Sequence, residues 1–310
     1  MFNKIIKPKR LEKGNTIGII SPSGSASYNK KSFQKGLEII KNLGFQIKLG
    51  KNVYAELDEH KHNYSAGTIE QRIEDLHWAF EDNEVDGIIC STGGDTAIQL
   101  LNKINFNLIK KNPKVFCGMS DIGTLFNPIF SKTGLITFHG PIVMHMKEFV
   151  KKNEHFLKAV SPEPIGNIKP FNENKWETIK PGKAKGRLIG GTFGIVKQLL
   201  GTKFEPSFKN NILLLESLGM DAKDIESTLA CYEINGVFEK ISGMVVGHLD
   251  GYKGVDYKKV IQRTTKNYEF PILKIEEFGH NCNNITIPIG VKLTIDASNK
   301  IFSINESAVK

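Results

Sequence analysis

The strongest constraint on the fold of this chain is a repeated alternation of short apolar runs, small-residue turns and segments with helical spacing. Thr16-Ile17-Gly18-Ile19-Ile20-Ser21 is closed by Ser-Pro-Ser-Gly, and Tyr28 to Leu43 then has the spacing of a helix. Phe45 to Leu49 leads through a polar loop to Gly67 and a helix over Thr68 to Glu81. Val85 to Cys90, apolar but for Asp86, precedes Ser91-Thr92-Gly93-Gly94-Asp95 and a helix through about Leu101. Lys114 to Gly118 reads as a buried strand, and Asp121 to Ser131 as the helix after it. Strands alternating with helices at this pitch predict an α/β domain with a parallel sheet and helices on both faces. Ligands in such sheets bind beyond the carboxyl ends of the strands, where Ser21, Gly93-Gly94 and Ser120 fall.

The alternation breaks between Val160 and Lys183, where Pro162, Pro164, Pro170 and Pro181 stand among Asn, Lys and Glu. That stretch reads as a linker or an ordered connecting loop. A second α/β unit follows: a helix opened by Gly190-Gly191-Thr192, a strand over Ile212 to Leu215, a helix over Asp221 to Asn235 and a strand over Met244 to Gly247. Its end differs, because Ile285 to Ile289, Val291 to Ile295 and Ile301 to Ile304 alternate with turn residues and predict a β-rich close. The expected organisation is two domains, 1–160 and 184–310, joined by a loop over 161–183.

Length and charge narrow the partners. A chain of 310 residues with ordinary apolar and charged fractions has room for two cores. A formal charge of +9 raises the question of nucleic acid. The lysines are scattered, often as pairs such as Lys110-Lys111, and are not interleaved with aromatics, so the expectation is a solvated basic surface and no nucleic acid. No apolar run approaches the roughly 20 residues that cross a bilayer, and Met1 to Arg10 lacks the apolar stretch of a signal peptide. A cytoplasmic protein without a membrane partner is expected. Cys90, Cys117, Cys231 and Cys282 contain no C-x-x-C pair, so they read as reduced thiols rather than a zinc site or disulfide framework.

Three strand ends carry chemistry. Gly118-Met119-Ser120-Asp121 supplies a nucleophile, Leu213-Leu214-Leu215-Glu216 an acid and Phe278-Gly279-His280 a base. A serine hydroxyl needs an imidazole to take its proton and a carboxylate to hold that imidazole in the right tautomer. Ser120 falls at a strand-to-helix turn, the place of a nucleophile elbow, although Ile122 stands where G-x-S-x-G has its second glycine. The bland reading of Ser120 is a helix cap. Gly93 or Gly94, with the Asp121 amide, could make a two-donor oxyanion hole; the alternative is a tight turn before a helix capped by Asp95. The usual reading of a buried carboxylate such as Glu216 is half of a salt bridge. Glu276 and Glu277 are rival orienters, and His139 and His248 are rival bases. Cys282, two residues past His280, reads as a bystander.

Several blocks in fixed order carry a resemblance. They are Asp86-Gly87-Ile88-Ile89 before Gly93-Gly94, Asn112 to Ile122, Thr133-Gly134-Leu135-Ile136-Thr137-Phe138-His139-Gly140-Pro141, Gly186-Arg187-Leu188-Ile189-Gly190-Gly191, Leu200-Gly201-Thr202, Leu213 to Glu216, and Gly279-His280 with Thr286-Ile287-Pro288-Ile289-Gly290-Val291. Together they make nearly the whole chain resemble the LD-carboxypeptidase family of serine peptidases, which also includes the microcin C immunity hydrolases.

The resemblance implies a Ser120/Glu216/His280 triad, with the nucleophile on the first domain and the other two residues on the second. It also implies an oxyanion hole from the Gly94 and Asp121 amides, no metal or organic cofactor, and a homodimer. The implied reaction removes the terminal D-alanine from muropeptide tetrapeptides in cell-wall recycling. Rival readings are an immunity-type hydrolase of peptidyl or aminoacyl nucleotides, with Trp176 stacking on the base, and a non-catalytic binding protein on the same fold. Two places depart from the family pattern: Thr192-Phe193 where Asn-Leu is usual, and Asn281-Cys282-Asn283 where Thr-x-Pro is usual. They are expected to flank the substrate pocket, where polar groups decide which substrate is accepted.

Overall fold

A computed structural model of the chain describes residues 4–57, 64–146, 153–171 and 176–310. The fold is mixed α/β and divides into two units. One comprises Met1–Pro162, Thr286–Pro288 and Ala308–Lys310; the other comprises Glu163–Ile285 and Ile289–Ser307.

In the first unit, strands β1 (Thr16–Ile20), β2 (Gln46–Leu49), β3 (Gly87–Cys90), β4 (Val115–Gly118) and β5 (Thr137–His139) pair in parallel. With the returning segment Ile287–Ile289 they form a sheet of spatial order Ile287–Ile289, β5, β4, β3, β1, β2. Every residue of β3 and β4 is buried, the near-continuous apolar signature of a strand covered on both faces. β2, at the sheet edge, buries none of its residues. Asp86, the one charge in its apolar run, lies just before β3 and accepts the Thr16 amide at 2.9 Å, so it caps a neighbouring strand rather than entering the sheet.

The helices follow the expected sites with shifted ends. α1 (Lys30–Asn42) and α2 (Ile69–Glu81) match the helical spacing. The predicted helix near Leu101 is only a 3₁₀ turn, Ala97–Leu100, and is followed by α3 (Phe106–Lys111). Its N-cap is Thr96, not Asp95, and Thr96 makes no side-chain capping bond. α4 (Gly123–Thr133) ends at Gly134, whose φ of 82° closes the helix in the left-handed region. α2 begins with a reciprocal capping box: Thr68 Oγ1 accepts the Gln71 amide at 3.3 Å and Gln71 Oε1 accepts the Thr68 amide at 2.8 Å. Thr68→Ala should therefore lower stability by about 1 kcal/mol. A thermal midpoint unchanged from wild type would show that the box contributes nothing.

The second unit begins with α5 (Asn153–Ala159) already behind it in the chain. Its sheet contains β6 (Gly166–Ile168), β7 (Glu177–Lys180), β8 (Lys183–Thr192), β9 (Ile212–Leu218), β10 (Gly243–Asp250) and β11 (Ile272–Lys274). After β12 (Ile287–Ile289), the segment already placed in the first sheet, β13 (Lys292–Asp296) and β14 (Ile301–Ile304) complete it. The spatial order is β6-β14-β13-β8-β9-β10-β11-β7. β8 changes partner along its length: Lys183 to Arg187 pair antiparallel with β13, and Leu188 to Thr192 pair parallel with β9. α6 (Phe193–Lys197), α7 (Ala222–Ile234) and α8 (Tyr257–Thr264) belong to this unit.

The stretch 161–183, read from sequence as a connecting loop, supplies β6 and β7. Its prolines lie outside both strands, at positions where no ladder amide is needed. The β-rich close is present as β12, β13 and β14.

Candidate active site

Ser120 emerges from β4 into the 3₁₀ turn Ser120–Ile122 that leads into α4. Its φ is 60°, a conformation that disfavours any residue with a Cβ by about 1–2 kcal/mol. Strain at a strand-to-helix serine is the mark of a nucleophile elbow. The expected helix from Asp121 is thus a 3₁₀ turn first and an α-helix only from Gly123.

The Gly93-Gly94 loop lies against this turn. A Cβ on Gly93 would come within 2.9 Å of Ser120 Cβ. Gly94 has φ 142°, and a Cβ there would meet Ser23 Oγ at 2.4 Å and the Gly24 nitrogen at 2.8 Å. Only glycine permits that approach. The Asp121 carboxylate, fully buried, accepts Ser23 Oγ at 2.5 Å and the Ala97 amide at 2.8 Å through Oδ2. Ser23 Oγ in turn accepts the Thr96 amide at 3.3 Å. Burial pushes the Asp121 pKa up, against the hydrogen bonds from Ser23 and Ala97. Arg72, also buried, donates to the Pro22 carbonyl at 3.4 Å and to Thr96 O and Oγ1 at 3.0 Å. Ser23 escaped the sequence reading as a named residue; its signal was its place in Ser-Pro-Ser-Gly after the first strand. His139, a rival base, is fully buried at the end of β5 with its ring edge-on to Phe126.

In the second unit three carboxylates have separate partners. Glu216, fully buried on β9, accepts His280 Nδ1 at 2.7 Å and the His280 amide at 3.2 Å through Oε2. Its Oε1 accepts Thr192 Oγ1 at 2.5 Å. Glu276 instead bonds His248 Nδ1 at 2.5 Å and pairs with the buried ammonium of Lys274. Burial works to raise the Glu276 pKa, but His248 and Lys274 together hold it below the ordinary value. Glu277 accepts the Phe171 amide at 2.8 Å and the Trp176 indole N–H. The rival orienters and the rival base His248 are therefore committed to each other, to Lys274, or to Phe171 and Trp176. Gly279, at φ 142°, lets the chain pass close: a Cβ there would lie 3.0 Å from His248 Cβ and 3.2 Å from Glu216 Oε2.

Burial alone would lower the His280 pKa. The hydrogen bond and charge of Glu216, with Asp250 farther along, outweigh it and leave the imidazole above its ordinary value. Such a pair places the Nδ1 proton on the Glu216 side and leaves Nε2 as the ring nitrogen that Glu216 does not engage.

The positions that depart from the family pattern are occupied in ways the sequence did not suggest. Phe193 is fully buried, and its carbonyl accepts Tyr232 Oη at 2.9 Å. Asn281 has φ 47° and donates to Asp250 Oδ2 at 2.9 Å. Cys282 Sγ donates to the Gly279 carbonyl at 3.4 Å. Trp176 is 1% exposed, an anchor of its segment with no ring face offered to a base.

A strained serine after a parallel strand, and an imidazole held by a buried carboxylate, are parts that occur together in serine hydrolases on α/β frames. Comparison with known families makes the class specific. Residues 17–140 match the LD-carboxypeptidase N-terminal domain and residues 185–295 the LD-carboxypeptidase C-terminal domain. The chain belongs to the LD-carboxypeptidase family, a family of serine carboxypeptidases.

Among its relatives, the probable murein peptide carboxypeptidase of Bacillus subtilis (strain 168) is 30% identical, over 97% of this chain and 94% of that protein. The microcin C7 self-immunity protein MccF of Escherichia coli is 28% identical, over 94% of each. The solved wild-type apo structure of MccF superposes with a TM-score of 0.89 at 26% identity, covering 98% of this chain and 100% of that one. The muramoyltetrapeptide carboxypeptidase of Oxalobacter formigenes shares the fold, with a TM-score of 0.79 at 21% identity over 93% of this chain and 97% of that one. Among the described residues no helix is long and apolar enough to cross a membrane.

Proposed function

We infer that the chain hydrolyses the amide bond between the L-centre of a diamino acid and the terminal D-alanine of muropeptide tetrapeptides, in cell-wall recycling. The observation that carries this reading is the 2.7 Å bond from His280 Nδ1 to the buried Glu216 carboxylate, which prepares an imidazole as a general base. The murein peptide carboxypeptidase relative supports the substrate class.

In this reading Ser120 Oγ attacks the scissile carbonyl carbon and its proton passes to His280 Nε2. The carbonyl oxygen becomes an oxyanion held by the Gly94 and Asp121 amides. Collapse of the tetrahedral intermediate breaks the C–N bond, and His280 returns the proton to the amine of D-alanine as it leaves. Water, deprotonated by His280, then hydrolyses the acyl-Ser120 ester and regenerates the hydroxyl. Glu216 holds the imidazole and balances its charge while it carries the extra proton.

A second reading, hydrolysis of an aminoacyl nucleotide, rests on the MccF relative, one of whose structures holds aspartyl sulfamoyl adenosine. The buried, bonded Trp176 removes the aromatic that would have favoured it.

Incubation of the protein, with Ser120→Ala beside it, with tetrapeptides carrying either diamino acid tests the reading by mass spectrometry of released D-alanine. Release by wild type alone is expected. Release from neither tetrapeptide would sink the muropeptide assignment and direct the same assay to aminoacyl sulfamoyl adenylates.

A further inference from the structure

Thr192 holds the side of the Glu216 carboxylate that His280 does not use. It stands directly across from Glu216 in the parallel β8–β9 ladder, and its hydroxyl reaches Oε1 at 2.5 Å. Oε2 meanwhile takes both the Nδ1 and the backbone amide of His280. The two oxygens thus have donors on opposite sides, and rotation of the carboxylate about its last bond breaks both sets.

The direction of the Thr192 hydroxyl is itself informative. Thr192 is the N-cap of α6, where threonine ordinarily accepts an amide of the first helical turn. It makes no such bond, and the hydroxyl is turned to Glu216 instead. The backbone that carries it is pinned one residue on, where the Phe193 carbonyl accepts Tyr232 Oη from α7 at 2.9 Å. Glu216 is fully buried, so the Thr192 hydroxyl, a further donor beside the two from His280, also offsets the cost of keeping it ionised there.

We propose that Thr192 is a positioning residue: its hydroxyl locks the plane and charge of the Glu216 carboxylate so that Oε2 receives His280 Nδ1–H. This rests on the reading of Glu216 and His280 as the working pair. It gives the departure from the usual Asn at this place a role in supporting the acid.

The test compares Thr192→Val, which keeps the shape and removes the donor, with Thr192→Ser, which keeps the donor. Each is made in wild type and in Glu216→Ala, and kcat and KM are measured on the amide substrate that the wild type turns over. Loss of a hydrogen bond to a charged group predicts a fall in kcat of roughly 10- to 100-fold for Thr192→Val. KM should hold within about twofold, Thr192→Ser should recover most of the rate, and Thr192→Val should change nothing further in Glu216→Ala.

Wild-type kcat in Thr192→Val beside an inactive Glu216→Ala would overturn the proposal and leave the functional reading standing. Full activity in Glu216→Ala would overturn both. A raised KM with unchanged kcat, or equal loss in the Val and Ser variants, would make Thr192 a substrate contact or a packing residue and also overturn it. The downfield proton resonance of His280 Nδ1–H gives a readout without substrate. It should persist in wild type and Thr192→Ser, be assigned by its loss in His280→Ala, and weaken or shift in Thr192→Val; an unchanged signal counts against the proposal.

Discussion

Ser120→Ala is expected to reduce turnover by roughly 10⁴-fold or more while leaving the protein folded. The change removes one oxygen from a half-buried position and keeps a Cβ, so the φ of 60° remains as unfavourable as before and the thermal midpoint should hardly move. Ser120→Gly makes a sharper comparison. It should be equally inactive yet more stable, by about 1 kcal/mol, because glycine adopts this backbone without strain. Groups that act as one unit are not additive, so His280→Ala should cost a comparable factor alone and nothing more in Ser120→Ala. Steady-state rates and thermal melts on the four variants check this. Residual turnover in Ser120→Ala within tenfold of wild type would remove Ser120 from the chemistry.

Glu216→Gln should show its effect in the pH profile as well as in the rate. The base must be neutral to accept the serine proton, so the ascending acid limb of kcat/KM follows the His280 pKa. That pKa is raised from its ordinary value, because Glu216 and Asp250 together outweigh burial. Without the charge on Glu216, burial dominates and disfavours the imidazolium, so the limb should move to lower pH. The plateau should fall by about 10²- to 10⁴-fold, since an amide can offer an N–H where Nδ1–H needs an acceptor. An acid limb that stays in place would detach Glu216 from His280 in the working enzyme.

How far the site was legible varies residue by residue. Ser120 was visible just past the end of β4, where parallel α/β sheets deliver side chains, whereas Glu216, expected at a strand end, lies inside β9, and His280, also expected at one, lies in a turn beyond β11. Which carboxylate serves which histidine was not visible. Glu276 and Glu277 are closer to His280 in the chain than Glu216 is, yet one binds His248 and Lys274 and the other Phe171 and Trp176. Hydrogen bonding depends on the register of β9 and β10 and on the turn after β11 that carries His280, and register is a property of the sheet, not of spacing along the chain. Ser23 and Thr192 were read as turn and helix-opening residues for the same reason: both spend their polarity on residues distant in sequence. The loop over 161–183 was misjudged in part because its prolines dominate the local pattern, whereas β6 and β7 are short edge strands whose pairing comes from β14 and β11.

By itself the sequence determined the α/β class, the alternation of elements, the β-rich close and the candidate site residues. These follow from local periodicity and turn composition, which act over a few residues. Only the tertiary structure decided that Ser120 adopts a left-handed φ, that Thr286–Pro288 returns to the first unit, and that Glu216 is shared by Thr192 and His280. Each of these depends on contacts between segments tens of residues apart or more, whose free energy is gained only when the sheets have assembled and water has been excluded from the groups they bury.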